Sequence, residues 1–229
     1  FRSAFQPVTV PDPDDNDLVI RLTHSWISNG TEGSYIRGER IGGDTPRRDG
    51  DPVPFPIVTG YQKVGIVEWV GDNVHDIEVG DTVFATISKV KGLFDSFGGH
   101  VSPAVTPRSQ VWKVPDGMDP VALSGLVLTQ VGYNCGMRPV VDEGAAALVI
   151  GDGLVGHWAA QTLAHRRARV CLVGKHGYRL ERFEQRKEDT IVNITVEDLL
   201  AKVGRWATDG LQAVIDTVGS VKAIEDLYP

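Results

Sequence analysis

An unbroken apolar segment at residues 146–150 leads directly into a glycine-rich turn, and this junction limits what the second half of the chain can fold into. Buried parallel strands are apolar on both faces, and this segment of Ala, Leu, Val and Ile has that character. The turn at residues 151–156 reads GDGLVG, and the helix-like segment 155–164 follows it. A strand, a glycine-rich turn and a helix in this order predict a dinucleotide-binding site.

Each glycine of the turn has a physical role in such a site. Gly151 permits the tight turn, Gly153 lets the backbone approach a pyrophosphate, and Gly156 lets the helix pack on the strand. The first helical residues, Leu154 and Val155, would present free N–H groups and the positive end of the helix dipole to the phosphates.

The remainder of the second half alternates between strand and helix patterns. Strands are predicted at 168–173 and 212–216, and a helix at about 196–203. This alternation is typical of a parallel α/β sheet with right-handed crossovers. Residues 121–137, which carry few charges and no proline, predict a buried helix that precedes the sheet.

The first half instead has short strand-like segments separated by Gly, Pro and Asp. Such segments occur at 18–23, 63–70 and 81–86, and the proline-rich segment 51–56 predicts an extended loop. Short strands with this turn chemistry indicate an all-β barrel or sandwich. We therefore predict two domains, residues 1–125 and residues 126–229.

The residues that follow the second strand decide which dinucleotide such a unit prefers. NAD-binding proteins place an acidic residue there for the ribose 2′-hydroxyl. Here the strand leads into Gly174, Lys175 and His176, with Arg179 three residues later and no carboxylate at the strand end. Cationic side chains suit a 2′-phosphate, so the segment favours NADP(H) over NAD(H); the alternative is a solvated basic loop.

Composition limits which classes of binding partner and which cellular compartment we expect. Lys and Arg total 23 against 30 Asp and Glu, a net charge of −7 that disfavours nucleic acid as a partner. The two cysteines, Cys135 and Cys171, form no CxxC pair, which favours inert core thiols and a reducing cytoplasm. No apolar segment approaches the roughly 20 residues that span a bilayer, and no signal peptide is recognisable, so no membrane partner is expected.

Several motifs are similar, in order and spacing, to those of the medium-chain alcohol dehydrogenase and quinone reductase superfamily. They are SWISNGTEGSYIRGE at 25–39 (similar to C-G-T-D…R-G), PIVTGYQKVG at 56–65 (P-x-x-x-G-H-E-x-x-G), VGDTV at 79–83 and GGH at 98–100. With the glycine-rich turn, the resemblance covers essentially the whole chain. It implies a two-domain α+β and α/β fold, a GroES-like β-barrel substrate domain followed by a partial Rossmann doubly wound parallel sheet. It also implies that the chain is a fragment, which lacks a piece of the first strand and the segments beyond Pro229.

The chain departs from this family at the positions where its zinc-dependent members bind the metal. Asn29 stands in place of the ligand cysteine, and Tyr61 and Gln62 stand in place of the histidine and glutamate. No cysteine cluster that could form a structural zinc site occurs between residues 85 and 99. Catalytic zinc needs three protein ligands, so the sequence predicts an enzyme without zinc.

The resemblance implies hydride transfer between a nicotinamide and a small carbonyl, alcohol or activated alkene, in a cleft between the domains. Tyr61 is the first candidate for proton donor or oxyanion stabiliser, and Ser28 and Asn29 are further hydrogen-bond donors. The alternative for Tyr61 is that it fills the space of the metal. Thr129 is a candidate contact to the nicotinamide or an ordinary helix-packing residue, and His100 is interpreted as packing at the barrel edge.

Two other functions remain open on the sequence. One is a non-catalytic nucleotide-binding relative, crystallin-like or regulatory, and the other is a zinc dehydrogenase with substituted ligands. Within the enzyme class, reduction of a quinone or enoyl group competes with alcohol oxidation, and the lack of metal ligands favours reduction. A homodimer of the full-length protein is a further expectation from the family.

Overall fold

The computed structural model describes residues 3–43 and 45–219. The chain divides into two compact units, Phe1–Val127 and Leu128–Pro229. Residues 220–229, which belong to the predicted second domain, lie outside the described residues. No helix of the described part is long and apolar enough to cross a membrane.

The first unit is built on an antiparallel sheet. Its five strands are β1 (Asp17–Ser25), β4 (Lys63–Val70), β5 (Thr82–Ala85), β8 (Ala104–Pro107) and β9 (Val111–Lys113). They pair in the order β8-β1-β4-β5-β9. Side chains from these strands, including Leu18, Ile20, Val67 and Val83, form a buried apolar cluster.

Smaller elements complete this unit. They are α1 (Thr31–Ile36), the hairpins β2 (Arg40–Gly42) with β3 (Thr45–Pro46) and β6 (Ser88–Lys89) with β7 (Phe97–Gly98), and α2 (Pro120–Leu123). The predicted strands at 18–23, 63–70 and 81–86 are confirmed as β1, β4 and β5, and residues 51–56 form no helix or strand. Among the described residues no pairing joins the edge strands β8 and β9, so the barrel itself remains a prediction.

The second unit is a parallel sheet covered on both faces. Its strands β10 (Ala146–Ile150), β11 (Arg169–Gly174), β12 (Thr190–Asn193) and β13 (Ala213–Asp216) lie in the order β12-β11-β10-β13. On β10, Ala147 and Val149 pack in one apolar cluster, and Leu148 and Ile150 pack in another. This double burial is the reason that the strand is apolar at every position.

The helix α3 (Leu126–Met137) precedes β10. The helices α4 (Leu154–His165), α5 (Gly177–Leu180) and α6 (Leu199–Trp206) lie between successive strands. The chain moves outward from β10 to β11 and β12, then returns to place β13 on the other side of β10. Such a reversal opens a crevice at the carboxyl end of the central strand, where α/β proteins bind ligands.

The single buried helix predicted at 121–137 is wrong. Asp119 caps α2 by accepting a hydrogen bond from the N–H of Val121, and a turn at residues 124–125 separates α2 from α3. Only Gly132 and Gly136 of α3 are buried, because they form the narrow contact of α3 with α4, and Tyr133 is 50% exposed. An apolar composition therefore indicated the helix correctly but not its burial.

Candidate functional site

The turn between β10 and α4 adopts a conformation that glycine makes possible. Gly151 has φ +121°, and its N–H donates to the carbonyl oxygen of Val173 at 2.8 Å. A β-carbon on Gly156 would overlap the carbonyl oxygen of Gly151, so the first turn of α4 lies directly against the strand end. Both roles predicted for these glycines are consistent with this geometry.

The space beside the turn suits a diphosphate. Gly153 is the N-cap of α4 and has no side chain that could bond the free amides of Leu154 and Val155. A β-carbon on Gly153 would meet no atom within 4 Å among the described residues, so a ligand can approach the backbone there. The 12-residue helix α4 directs its positive dipole end at the same space. The turn therefore fits the pyrophosphate of a dinucleotide.

A carboxylate lies at the end of β11, contrary to the prediction. Asp152 comes from the glycine-rich turn, and its Oδ2 accepts hydrogen bonds from the N–H groups of Lys175 at 2.9 Å and His176 at 2.7 Å. Its carboxylate also contacts Nδ1 of His176 at 3.0 Å and lies 3.8 Å from Nη1 of Arg179. The prediction considered only residues that follow β11 in sequence, whereas parallel β10 ends at the same edge of the sheet.

Asp152 stays ionised in this setting. Burial acts to raise the pKa of the Asp152 carboxyl, but hydrogen bonds from the backbone and ring of His176 and from the backbone of Lys175 outweigh it, so that the pKa is lowered. These protein donors occupy the carboxylate oxygens, so we interpret Asp152 as an anchor for the loop rather than as a ribose ligand. The predicted cofactor residues Gly174, Lys175, His176 and Arg179 thus surround one buried negative charge.

Replacing Asp152 with alanine is expected to lower the free energy of unfolding by about 2 kcal/mol, because two amides lose a charged acceptor. The same change frees the loop that carries Lys175 and Arg179, so NADPH should bind several-fold more weakly. Chemical denaturation and nucleotide titration measure the two effects. The exposed Asp209→Ala is the matched control, and equal behaviour of both variants would contradict the anchoring role.

Thr129 lies on α3 and is half-buried. Its contact with a nicotinamide remains a prediction. Of the two cysteines, Cys171 is buried on β11, and burial raises the pKa of its thiol to about 12, as expected of an inert core residue. Cys135 is half-buried on α3 and packs at the edge of the core.

In the first unit, the two segments that carry the predicted catalytic residues lie side by side. The N–H of Trp26 donates to the carbonyl oxygen of Gln62 at 3.3 Å, next to the pairing of Ser25 with Lys63. Ser28 is buried, Asn29 is exposed and Tyr61 is half-buried. The structure brings these segments together, but it assigns no role to the three side chains.

The sequence prediction missed a carboxylate–imidazole pair beside them. Glu32, only 2% exposed, accepts a hydrogen bond from the N–H of Ser28 at 2.7 Å and contacts Nε2 of His100 at 2.7 Å. The ring of His100 packs on Gly60, where a β-carbon would lie 2.6 Å from it. Burial acts to raise the pKa of Glu32, but hydrogen bonds from His100, Ser28 and Thr59 outweigh it and lower that pKa.

The sequence motifs contain the residues of this pair, but in three separate segments. Glu32, Gly60 and His100 each lie within one of the family-like motifs, at positions 25–39, 56–65 and 98–100. Because the three motifs are far apart in sequence, only the fold shows that their residues meet. The interpretation of His100 as a packing residue is therefore incomplete, since its ring is also paired with a buried carboxylate.

The side chains of the first unit at the positions of the zinc ligands do not form a zinc site. Asn29, Tyr61 and Gln62 offer amide and phenol oxygens at the positions that match the zinc ligands of the metal-dependent dehydrogenases. Across residues 3–43 and 45–219, no three His, Cys, Asp or Glu side chains gather closely enough to hold a metal ion. Such a donor set does not fit catalytic zinc.

A cavity of about 1120 Å³ lies within the first unit. Its wall includes the N-terminal segment from Ser3 to Val8, the segment from Phe55 to Thr59, and His100 with its neighbours up to Pro103. None of the described residues that line it is Asp, Glu, Lys or Arg. The cavity is therefore apolar, with the paired imidazole in its wall.

Comparison with known proteins places these features in context. Residues 15–116 match the family model of the alcohol dehydrogenase GroES-like domain. The chain is similar to the L-threonine 3-dehydrogenase of Bacillus subtilis (strain 168), with 25% identity over 248 aligned positions that cover 98% of this chain and 68% of the relative. These similarities support the resemblance to the medium-chain superfamily.

Two solved structures share the fold. The alcohol dehydrogenase TADH from Thermus sp. ATN1 gives a TM-score of 0.76 with 21% identity, covering 99% of this chain and 70% of that one. The Escherichia coli quinone oxidoreductase complexed with NADPH gives 0.70 with 18% identity, covering 97% and 63%. The chain thus spans about two thirds of the length of these proteins.

Proposed function

We propose that this chain provides the substrate-binding and dinucleotide-binding parts of an oxidoreductase that uses NADP(H) in preference to NAD(H) and needs no catalytic zinc. Its reaction is hydride transfer between a nicotinamide and a carbonyl or alcohol, or an activated alkene. The observation that carries the proposal is the glycine-rich turn at the carboxyl end of β10, where the strand order reverses. The dehydrogenase and oxidoreductase names of the similar proteins support the same reaction class.

The chain's own residues divide the work of holding the nucleotide. The amides of Gly153, Leu154 and Val155 would bond the pyrophosphate. Asp152 holds the loop that carries Lys175 and Arg179, whose cationic side chains would meet a 2′-phosphate. Two cations beside one carboxylate leave the loop with a net positive charge, which supports NADP(H) over NAD(H).

Arg179→Ala is expected to raise the Kd for NADPH about tenfold and to change the Kd for NADH less than twofold. NADPH carries a 2′-phosphate that Arg179 would bond, and NADH has no such group, so only NADPH loses a hydrogen bond between charged groups. Calorimetric titration with each nucleotide measures both constants. Arg205→Ala on α6, an exposed arginine of the same unit, is the control. An equal loss for NADPH and NADH would contradict the role of Arg179.

Without zinc, the substrate oxygen must be stabilised by protein hydrogen bonds. Tyr61, Ser28 and Asn29 remain the proposed donors, on the ground that their segments lie together. Thr129 remains a proposed contact on the nicotinamide side.

The purified protein tests the proposal when its metal content and its turnover are measured in one sample. NADPH oxidation by benzaldehyde or a quinone, unchanged by EDTA and without stoichiometric zinc, is expected. One zinc per chain, with activity lost on chelation, would contradict the zinc-free mechanism. Tight nucleotide binding without turnover on a broad panel of carbonyls and alkenes would instead favour the non-catalytic alternative.

A further inference from the structure

We propose that the cavity of the first unit binds an uncharged, predominantly apolar alcohol or the corresponding carbonyl compound, and that His100, positioned by Glu32, exchanges the proton of its oxygen. This inference rests on the proposed function and adds the substrate class and a proton-transfer residue to it.

The wall of the cavity selects against charge. Its side chains are mainly those of Phe5, Val8, Val53, Phe55, Ile57 and Leu93. Because no described residue of the wall is ionic apart from the His100 ring, the wall offers no counter-charges to a zwitterion such as threonine. An uncharged alcohol, aldehyde or ketone loses far less hydration on entering, and the volume is ample for a small molecule.

The contact with Glu32 determines which ring nitrogen of His100 can bond a ligand. The ionised carboxylate of Glu32 can only accept hydrogen bonds, so Nε2 of His100, 2.7 Å from Oε2, must carry a proton. Nδ1 is buried and has no hydrogen-bond partner among the described residues. A buried nitrogen without a partner is costly, and a ligand that supplies the missing hydrogen bond accounts for it.

The two protonation states of His100 match the two redox states of such a ligand. In the neutral ring Nδ1 is an acceptor and suits the hydroxyl group of an alcohol, whereas in the protonated ring Nδ1–H is a donor and suits a carbonyl oxygen. A nicotinamide held by the second unit would supply the hydride to the carbonyl carbon, and His100 would give its proton on Nδ1 to the oxygen. The ring becomes neutral, the product is the alcohol, and Glu32 remains ionised throughout.

Access to Nδ1 requires a small movement. The ring of His100 forms part of the cavity wall and its side chain is 23% exposed, while Nδ1 itself is covered by protein atoms. Rotation of the ring, or displacement of a neighbouring segment of the wall, would expose it. Ligand binding should therefore change the surroundings of the ring measurably.

The test is an NMR titration of the purified protein, labelled with ¹⁵N in its histidine rings, with benzyl alcohol and separately with L-threonine. The free protein is expected to show His100 with its proton on Nε2, and the Glu32→Gln variant is expected to lose that preference. Benzyl alcohol should shift the His100 signals, whereas L-threonine at equal concentration should not. The exposed His24 is the internal control. Absence of a His100 shift with benzyl alcohol, or an equal shift with L-threonine, overturns the proposal.

Steady-state kinetics of a His100 variant distinguishes a failure of this inference from a failure of the proposed function. His100→Gln should lower kcat/KM for benzaldehyde reduction about 100-fold, the scale of a lost proton donor, with the Kd for NADPH unchanged. His24→Gln should leave both constants unchanged. Turnover by the wild-type protein that survives His100→Gln overturns the inference alone. A benzyl alcohol shift at His100 in a protein that never oxidises NADPH counts against the proposed function and not against the binding site.

Discussion

Gly156→Val is expected to abolish NADPH binding and to lower the free energy of unfolding of the second unit by about 3 kcal/mol, the scale of an overpacked core. The β-carbon of valine would overlap the carbonyl oxygen of Gly151, so α4 could not keep its contact with the end of β10. Chemical denaturation gives the loss of stability, and calorimetry of the folded variant at low temperature gives the loss of binding.

Gly153→Ala is the matched control for this variant. Gly153 has φ −85° and ψ 179°, which alanine adopts without strain, and open space lies beside it. We expect Gly153→Ala to keep wild-type stability but to bind NADPH at least tenfold more weakly, because the new methyl group occupies the path of the pyrophosphate. Normal NADPH binding by both variants would show that the nucleotide does not bind at this turn.

Lys63→Met is expected to stabilise the protein by about 3 to 5 kcal/mol at pH 7. Lys63 is completely buried in β4, and its Nζ donates to Oγ of Ser88 at 2.5 Å without a carboxylate partner among the described residues. Burial lowers the pKa of this amine from 10.5 to about 7. The Ser88 and Thr106 hydroxyls already bond each other, so methionine would leave no hydroxyl without a partner.

The sign of the pH dependence follows from the two pKa values. Above pH 10.5 the amine is neutral in both states, and between pH 10.5 and about 7 only the unfolded chain binds the proton. As the pH falls through this window, each pH unit lowers the free energy of unfolding by about 1.4 kcal/mol. The loss is complete near pH 7. The gain from Lys63→Met should therefore shrink to about 1 kcal/mol at pH 10.

Chemical denaturation at pH 7 and pH 10 measures this difference directly. The exposed Lys91→Met, which removes a solvated amine, should change stability by less than about 0.5 kcal/mol at both pH values. A Lys63→Met variant that is less stable than the wild type, or equally stabilised at both pH values, would contradict the interpretation of Lys63 as a buried amine without a carboxylate partner among the described residues.

The sequence identified those features whose cause is local. The segment 146–156 predicted β10 and the turn correctly because a doubly buried strand must be apolar throughout and because the turn needs glycine at fixed positions. Residues 63–70 predicted β4 to the residue, because a segment rich in β-branched residues ends there at the turn signal of residues 71–74. Thr190–Asn193 was missed as β12, because a four-residue edge strand with two polar positions carries little pattern.

Contacts between distant segments could not be predicted. Asp152 reaches the amides of Lys175 and His176 only because two parallel strands end at the same edge of the sheet. Glu32 and His100 are 68 positions apart, and only the fold brings the His100 ring between Gly60 and the carboxylate of Glu32. The exposure of α3 likewise depends on how the helix packs rather than on its own apolar composition.

The most direct test of the central claim is a calorimetric titration of the purified protein with NADPH and with NADH, with Gly153→Ala measured alongside. Stoichiometric NADPH binding that is at least tenfold tighter than NADH binding, and that is weakened by Gly153→Ala, is the predicted result. Failure of either nucleotide to bind the folded protein, or binding that Gly153→Ala leaves unchanged, would contradict the assignment of the turn after β10 as a dinucleotide site.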